Sequence, residues 1–255
     1  MNDLKNFERE SLENIKKIGE DQSLKELSNE WILKTNPYKY AYNWRWQGLP
    51  IIQFPQDIVV TQEIIWSVKP TVIIETGIAR GGSLTFAASQ LALLDLSEYG
   101  KSDIENPRRK VIGIDIDIRP HNREVIEKHP FYNYMELIEG SSTDKSTFNL
   151  LTSHLESDDT VLVILDSNHT HDHVLKELNL YAPLVSKGSY IITHDTGIEF
   201  VPKEIFDDRN WGPGNNPLTA VHKFLENNKN FEVDHIINSK LLITSSPQGY
   251  IKRIS

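Results

Sequence analysis

From residue 71 onward the chain alternates two hydrophobic patterns. Short, unbroken apolar runs occur at 71–75 (TVIIE), 110–115 (KVIGID), 134–138 (YMELI), 160–165 (TVLVIL) and 189–193 (SYIIT). None alternates polar with apolar, as expected of strands buried on both faces. Between and after them lie stretches with one apolar face, at 83–96, 122–128, 172–182 and 217–226. These read as amphipathic helices. Two further strands are expected near 231–236 and 241–244. Apolar strands alternating with such helices predict an α/β fold. It would be a Rossmann-like, doubly wound, mostly parallel seven-stranded sheet with helices on both faces.

The first 68 residues have a different pattern. Apolar positions at helical spacing (Leu4, Phe7, Leu12, Ile15, Ile18, then Leu24, Leu27, Trp31, Ile32) predict two charged amphipathic helices. Residues 36–55 pack six aromatics and three prolines into twenty positions, which suggests an irregular segment docked on a surface. A helix follows over 57–68, with Asp57 as a candidate N-cap. The expected organisation is an N-terminal helical and aromatic extension over 1–68 packed on a main domain over 69–255. The polar stretch 98–109 reads as a surface loop, and no internal repeat is visible.

Composition narrows the chemistry. The 255 residues carry 27 Lys+Arg against 36 Asp+Glu, a net charge of −9, which disfavours a protein built to hold nucleic-acid phosphates. With 38% hydrophobic and 25% charged residues the chain is an ordinary globular sequence, not a disordered one. The absence of cysteine excludes disulfides, thiolate metal sites and cysteine nucleophiles. The N-terminus lacks the apolar core of a signal peptide, and no run approaches the ~20 apolar residues of a membrane span. A cytoplasmic protein with no membrane partner is therefore expected.

Two sequence signals point to a cofactor. Glu75-Thr-Gly77-Ile-Ala-Arg-Gly81-Gly82-Ser83 follows the first apolar strand and opens a helix. Glycines let the backbone turn tightly beside a ligand, and the helix start offers free N–H groups. The spacing matches neither the dinucleotide fingerprint nor a P-loop, and an acid before the first glycine favours a cationic ligand portion over a phosphate. The alternative is a strand–helix turn that merely uses glycine. The second strand ends in Asp115, which is placed to accept both hydroxyls of a ribose. The alternative there is an ordinary loop aspartate or a helix cap. Together the two signals describe a site for an adenosyl group without phosphates.

A third signal points to a metal. The fourth strand runs into Asp166-Ser-Asn-His169-Thr-His171-Asp172-His173, the fifth into His194-Asp195. Strand ends of a doubly wound sheet open onto one edge, so Asp166 and Asp195 would converge beside the cofactor. Two carboxylates could share a divalent cation such as Mg²⁺, which could hold a substrate hydroxyl and lower its pKa. His169 is placed to take the proton. Against this, strand-end aspartates often cap the next helix, as Asp172 could, and three alternating histidines can be a solvated loop.

The stretch Glu75–Ser83 together with Asp115 resembles the first two motifs of class I S-adenosylmethionine-dependent methyltransferases. The resemblance places Glu75, Gly77, Gly81 and Ser83 near the methionine part of the cofactor and Asp115 near its ribose. Gly140-Ser-Ser142-Thr-Asp144 resembles the adenine-side loop, with Ser142 and Asp144 as contacts. A narrower group is similar over Trp46 to Arg253: the cephalosporin hydroxylase-like family. It includes methyltransferases that act on sugar hydroxyls of macrolides and on rhamnosyl groups. Gln47-Gly48-Leu-Pro50, Pro55-Gln-Asp57, Asp166-Ser-Asn-His169, Gly212-Pro-Gly214 and Gly249-Tyr250 look like its landmarks. That resemblance implies Asp166, His194 and Asp195 around the metal, with Asp166 and His169 as the catalytic pair and His169 as base.

The sequence departs from the family at His194, where a carboxylate or amide is more usual. A nitrogen ligand suits Mn²⁺, Fe²⁺ or Zn²⁺ better than Mg²⁺. The implied activity is metal-assisted methylation of a hydroxyl on a small molecule, such as the sugar of a glycoside or natural product. Trp44, Trp46 and the 211–217 loop would cover this acceptor, unless the tryptophans serve as core packing. The competing readings are a metal-dependent hydroxylase of a small-molecule natural product and a non-catalytic cofactor-binding subunit. A nucleic-acid methyltransferase is disfavoured, since no Asn-Pro-Pro-aromatic motif is present. The N-terminal helices would allow a homo-oligomer.

Overall fold

The computed structural model describes residues 2–100, 103–206 and 208–255. Met1 of the expected extension and residues 101–102 of the expected loop lie outside them. Two helices open the chain, α1 (Asn2–Glu20) and α2 (Gln22–Thr35). Asp21 separates them by accepting from Ser23 N and Leu24 N, the N-cap pattern of a short side-chain carboxylate. The aromatic segment that follows is more regular than its composition suggests. It makes two 3-10 turns and then a hairpin of β1 (Trp44–Trp46) and β2 (Leu49–Ile51). Gln47 (φ 46°) and Gly48 (φ 95°) form the tight turn between them, a hairpin geometry that needs two left-handed residues.

Helix α3 (Pro55–Val68) starts with proline at its first turn, after Phe54. Asp57 is therefore not its cap; the residue lies inside the first turn and is fully buried. The chain then alternates as expected: β3 (Val72–Thr76), α4 (Gly82–Tyr99), β4 (Lys110–Asp115), α5 (Pro120–Glu127), β5 (Met135–Glu139), α6 (Lys145–Thr152), β6 (Val161–Leu165), α7 (His171–Tyr181) and β7 (Tyr190–Thr193). The C-terminal part adds α8 (Pro217–Asn227), β8 (Phe231–Val233), α9 (His235–Lys240) and β9 (Tyr250–Arg253).

The main sheet has seven strands in the order β5-β4-β3-β6-β7-β9-β8. Strands β3 to β7 pair in parallel, and β9 runs antiparallel between β7 and β8. Strand β3 is fully buried and divides its side chains between two apolar layers. Ile73 joins the layer under α3, α4 and α5, and Val72 and Ile74 join the layer under α6, α7 and α8. Residues Leu49, Ile51, Ile64 and Ile65 belong to the first of these layers, so this part of the N-terminal segment shares the core of the sheet. No described helix is long and apolar enough to cross a membrane.

The C-terminus corrects two expectations. The strand expected over 231–236 stops at Val233, because Asp234 accepts from Ile236 N and Ile237 N and starts α9. The apolar run 241–244 is not a strand. The edge of β7 is taken by Tyr250–Arg253 instead.

Candidate active site

Strand β3 pairs with β4 on one side and β6 on the other, so the order reverses there and a crevice opens at the strands' carboxyl ends. Gly77 marks this point. Its φ is 90°, and a β-carbon on it would lie 2.1 Å from the backbone oxygen of Asp166. Glycine alone lets the ends of β3 and β6 come this close. Gly81 (φ 81°) turns the chain into α4. Ser83 Oγ then donates to Glu75 Oε1 at 2.5 Å. Glu75 is buried and its second oxygen has no partner, so burial lifts its pKa to about 7 against the lowering effect of Ser83.

Asp115 reaches the same turn from β4. Its Oδ2 accepts from Ile78 N (2.9 Å) and Ala79 N (3.2 Å), its Oδ1 from Asp117 N (3.1 Å). The expected adenine-side residues sit farther off. Ser142 is buried, with its Oγ 3.1 Å from His173 Nε2 and its carbonyl accepting from Tyr181 OH. Asp144 is exposed at the N-cap of α6, without a side-chain capping bond. Neither lines the cavity beside the glycine turn.

The strand-end acids do converge. Asp166 follows β6 and Asp195 follows β7. His169 lies in the loop between β6 and α7, with Nε2 3.3 Å from Asp195 Oδ2. Ligand atoms of Asp166, His169 and Asp195 all lie within 4.8 Å of one another. Burial, then the carboxylates of Asp195, Glu75 and Glu177, raise Asp166 well above the usual carboxylate range. No lysine or arginine ion-pairs with Asp166, Glu75 or Glu177 among the described residues. Anionic oxygens gathered without a cationic side chain suit a divalent ion.

His194 lines the same cavity but is not one of the three residues of this cluster. Gln53 Nε2 donates to its Nε2 at 3.4 Å, and its Nδ1 lies 3.0 Å from Ser246 Oγ. Burial pushes its pKa below the usual value. The third residue of the cluster is His169, not His194. Of the tryptophans expected over the acceptor, Trp46 packs edge-on against Phe86 and donates to Ser89 Oγ at 3.0 Å, a core role. Trp211 does reach the site, its ring 4.9 Å from that of His169.

Glu177 is the residue that sequence reading missed. It is fully buried on α7 and accepts from Ser167 Oγ at 2.7 Å, directly behind Asp166. His173 and Glu177 stand four apart, a same-face helical spacing that could have drawn attention to the pair. A cavity of about 1020 Å³ opens above Gly77, Ser83, Asp166, His169 and Asp195. Helices α1 and α2 wall its far side through residues such as Ile18 and Ile32.

Fold and site together define a Rossmann-like α/β protein with a cofactor crevice and a carboxylate–histidine cluster at its switch point. The chain belongs to the family described as Rhamnosyl O-methyltransferase/CmcI, whose profile matches residues 38–254, and it is an O-methyltransferase. A rhamnosyl O-methyltransferase of Mycobacterium bovis is 26% identical over 194 residues, covering 75% of this chain and 71% of its own length. One from Mycobacterium leprae is 27% identical over 160 residues, 62% of each chain. Among solved structures, CmcI with Mg and SAM superposes with a TM-score of 0.55 at 19% identity, over 84% of this chain and 78% of the other. An O-methyltransferase from Bacillus cereus in complex with SAH gives 0.50 at 14% identity, over 80% and 81%. These likenesses show the fold.

Proposed function

We propose that this protein transfers the methyl group of S-adenosylmethionine to a sugar hydroxyl of a small-molecule glycoside or sugar derivative, with a divalent cation held by Asp166 and Asp195. The observation that carries this reading is the convergence of Asp166, His169 and Asp195 within 4.8 Å at the mouth of a crevice shaped by Gly77. The donor set fits a hard cation: two carboxylates from neighbouring strand ends, with room left for water or substrate oxygens. Among the described residues Glu75 Oε2 has no hydrogen-bond partner, and no lysine or arginine ion-pairs with Asp166.

When bound, the cation would supply the positive charge that acidifies a neighbouring hydroxyl, and the cofactor the methyl on its sulfonium. The chain's own residues do the rest. Glu75 and Ser83 face the cationic methionine end of the cofactor. Asp115, fixed by Ile78 N and Ala79 N, keeps free lone pairs for the ribose hydroxyls. Ser142 and Asp144 belong to the loop on the adenine side. Asp195 can accept the Nε2 hydrogen of His169, which leaves Nδ1 free to take the acceptor's proton. Trp211 fixes the imidazole plane and covers it from solvent. The cavity of about 1020 Å³ runs from the glycine turn past Asp166 and His169 to α1 and α2, so cofactor and acceptor would share one continuous space.

The distances also favour a second role for His169, as a third ligand. In that case Mn²⁺ or Fe²⁺ would be preferred over Mg²⁺. Isotope-labelled S-adenosylmethionine, a panel of rhamnosides and nucleotide sugars, and Mg²⁺ with or without chelator test the whole reading. Label should enter a sugar hydroxyl and chelator should abolish transfer; transfer indifferent to chelator contradicts the cation. His169→Ala separates its two roles. A base gives lost turnover with unchanged metal affinity, a ligand loses both.

A further inference from the structure

Asp57 lies in the first turn of α3, outside the cluster described above, and is fully buried. No lysine or arginine pairs with it among the described residues. Among the described residues all its donors come from one segment, residues 244–250. Thr244 Oγ1 and Tyr250 OH donate to Oδ1, the latter at 2.9 Å. Ser245 N donates to Oδ2 at 2.9 Å and Ser245 Oγ at 3.4 Å. Asp57 thus anchors this segment at both ends.

The same segment grips the residues that carry Asp195. Thr193 N donates to Gly249 O at 2.8 Å and Gly197 N to Ser245 O at 2.9 Å. Thr196 Oγ1 donates to Pro247 O at 2.7 Å. His194 is held by Ser246 on one side and by Gln53, just before α3, on the other. Asp195 sits inside this grip with φ 58°, a left-handed conformation uncommon outside glycine, though aspartate adopts it more readily than most residues. A buried carboxylate without a counter-cation is expensive, so a merely space-filling role would be served better by an apolar or amide side chain.

We propose that Asp57 is a positioning residue for the metal site: by anchoring the 244–250 strap it fixes the 193–197 backbone and aims the Asp195 carboxylate at the cation. The inference rests on the reading of Asp166 and Asp195 as cation ligands. It gives α3 and the otherwise irregular 241–249 region a function at the sheet edge. It also accounts for His194: the imidazole is one of the strap's fastenings.

The test is a Mn²⁺ titration followed by electron paramagnetic resonance, with the full-length protein saturated with S-adenosylhomocysteine. Wild type, D57N, Y250F and D195N are compared, and S-adenosylhomocysteine affinity is measured separately by calorimetry. D57N should weaken Mn²⁺ binding about 10- to 100-fold, the range for partners that orient metal ligands. Its S-adenosylhomocysteine affinity should stay that of wild type, because Asp115 and the glycine turn hang on other contacts. Y250F removes one donor and should show a smaller loss of the same kind. Unchanged Mn²⁺ affinity in D57N overturns the proposal. So does a parallel fall of metal affinity, cofactor affinity and melting temperature, which would assign Asp57 to folding alone. Should D57N not fold, unchanged Mn²⁺ affinity in Y250F is the contradicting result. Wild type without Mn²⁺ binding, or D195N binding like wild type, overturns the cation reading itself, an outcome distinct from the others.

Discussion

The two sides of the switch point are built on opposite principles. On the β3–β4 side, Asp115 is satisfied by three backbone N–H groups, two of them from the glycine turn it faces. On the β6–β7 side, Asp166 and Asp195 gather with Glu75 and Glu177 nearby, and among the described residues no lysine or arginine ion-pairs with Asp166, Glu75 or Glu177. The first side is a cradle already hydrogen-bonded, and in the proposed function it would meet only a neutral ribose. The second gathers buried carboxyls whose charged forms a divalent ion would stabilise. The supports differ in the same way. The cradle depends on neighbours at the ends of adjacent strands, whereas the backbone that carries Asp195 is held by the 244–250 strap, with His194 fastened by Gln53 and Ser246, remote in sequence.

The largest effect should come from Asp166→Asn. Losing several kcal/mol of transition-state charge stabilisation would reduce methyl transfer about 10³-fold. Calorimetry should find S-adenosylhomocysteine affinity retained, since the cradle side is untouched. A comparable loss of both would erase the distinction between the two sides.

Glu75→Gln tests the cost of burying this carboxyl. Glu75 is raised from 4.5 to about 7, so between those values the folded protein holds a proton that the unfolded chain has released. Stability of the cofactor-free protein therefore falls as pH rises through that window and levels off above it. The glutamine variant lacks this loss. Urea titrations should show no advantage for it below pH 4.5 and a gain of about 3 kcal/mol above pH 7. A flat difference across pH would mean that Glu75 is not a strained acid.

Gly77→Ala attacks the seam between the sides. Its β-carbon would meet Asp166 O at 2.1 Å, and the backbone would keep an unfavourable φ. The expected cost is about 2 kcal/mol in thermal unfolding, with cofactor and metal affinity both reduced. Ser142→Ala should do least. Its hydroxyl bonds only His173 among the described residues, so stability should change by about 1 kcal/mol or less. A large loss of cofactor affinity would move Ser142 into direct contact with the adenine.

Strands β3 to β7 were legible because each is an unbroken apolar run flanked by amphipathic helices. The run 241–244 shares that look but does not join β7, whose edge is occupied by Tyr250–Arg253. Asp234 converts an apparent strand into the start of α9, a cap that hydrophobicity alone does not reveal. At the site, Asp115, Asp166, His169 and Asp195 were legible from their places at strand ends. The orientation of His194 was not. It is decided by Gln53 and Ser246, 141 and 52 residues away in sequence, and no local pattern carries such contacts. Trp46 likewise reads as an acceptor-facing aromatic until Phe86 and Ser89 are seen beneath it. Asp57 has the residue type of a helix cap, but Pro55 begins the helix two residues earlier and puts Asp57 inside its first turn.

The central claim is that Asp166 and Asp195 hold one divalent cation beside the methyl donor. Isothermal titration of Mg²⁺ into the S-adenosylhomocysteine complex, for wild type and for Asp166→Asn, tests it most directly. The account predicts one Mg²⁺ site per chain in the wild type and its disappearance in the variant, with the cofactor still bound. Equal Mg²⁺ binding by the two proteins, or none by the wild type, would contradict it.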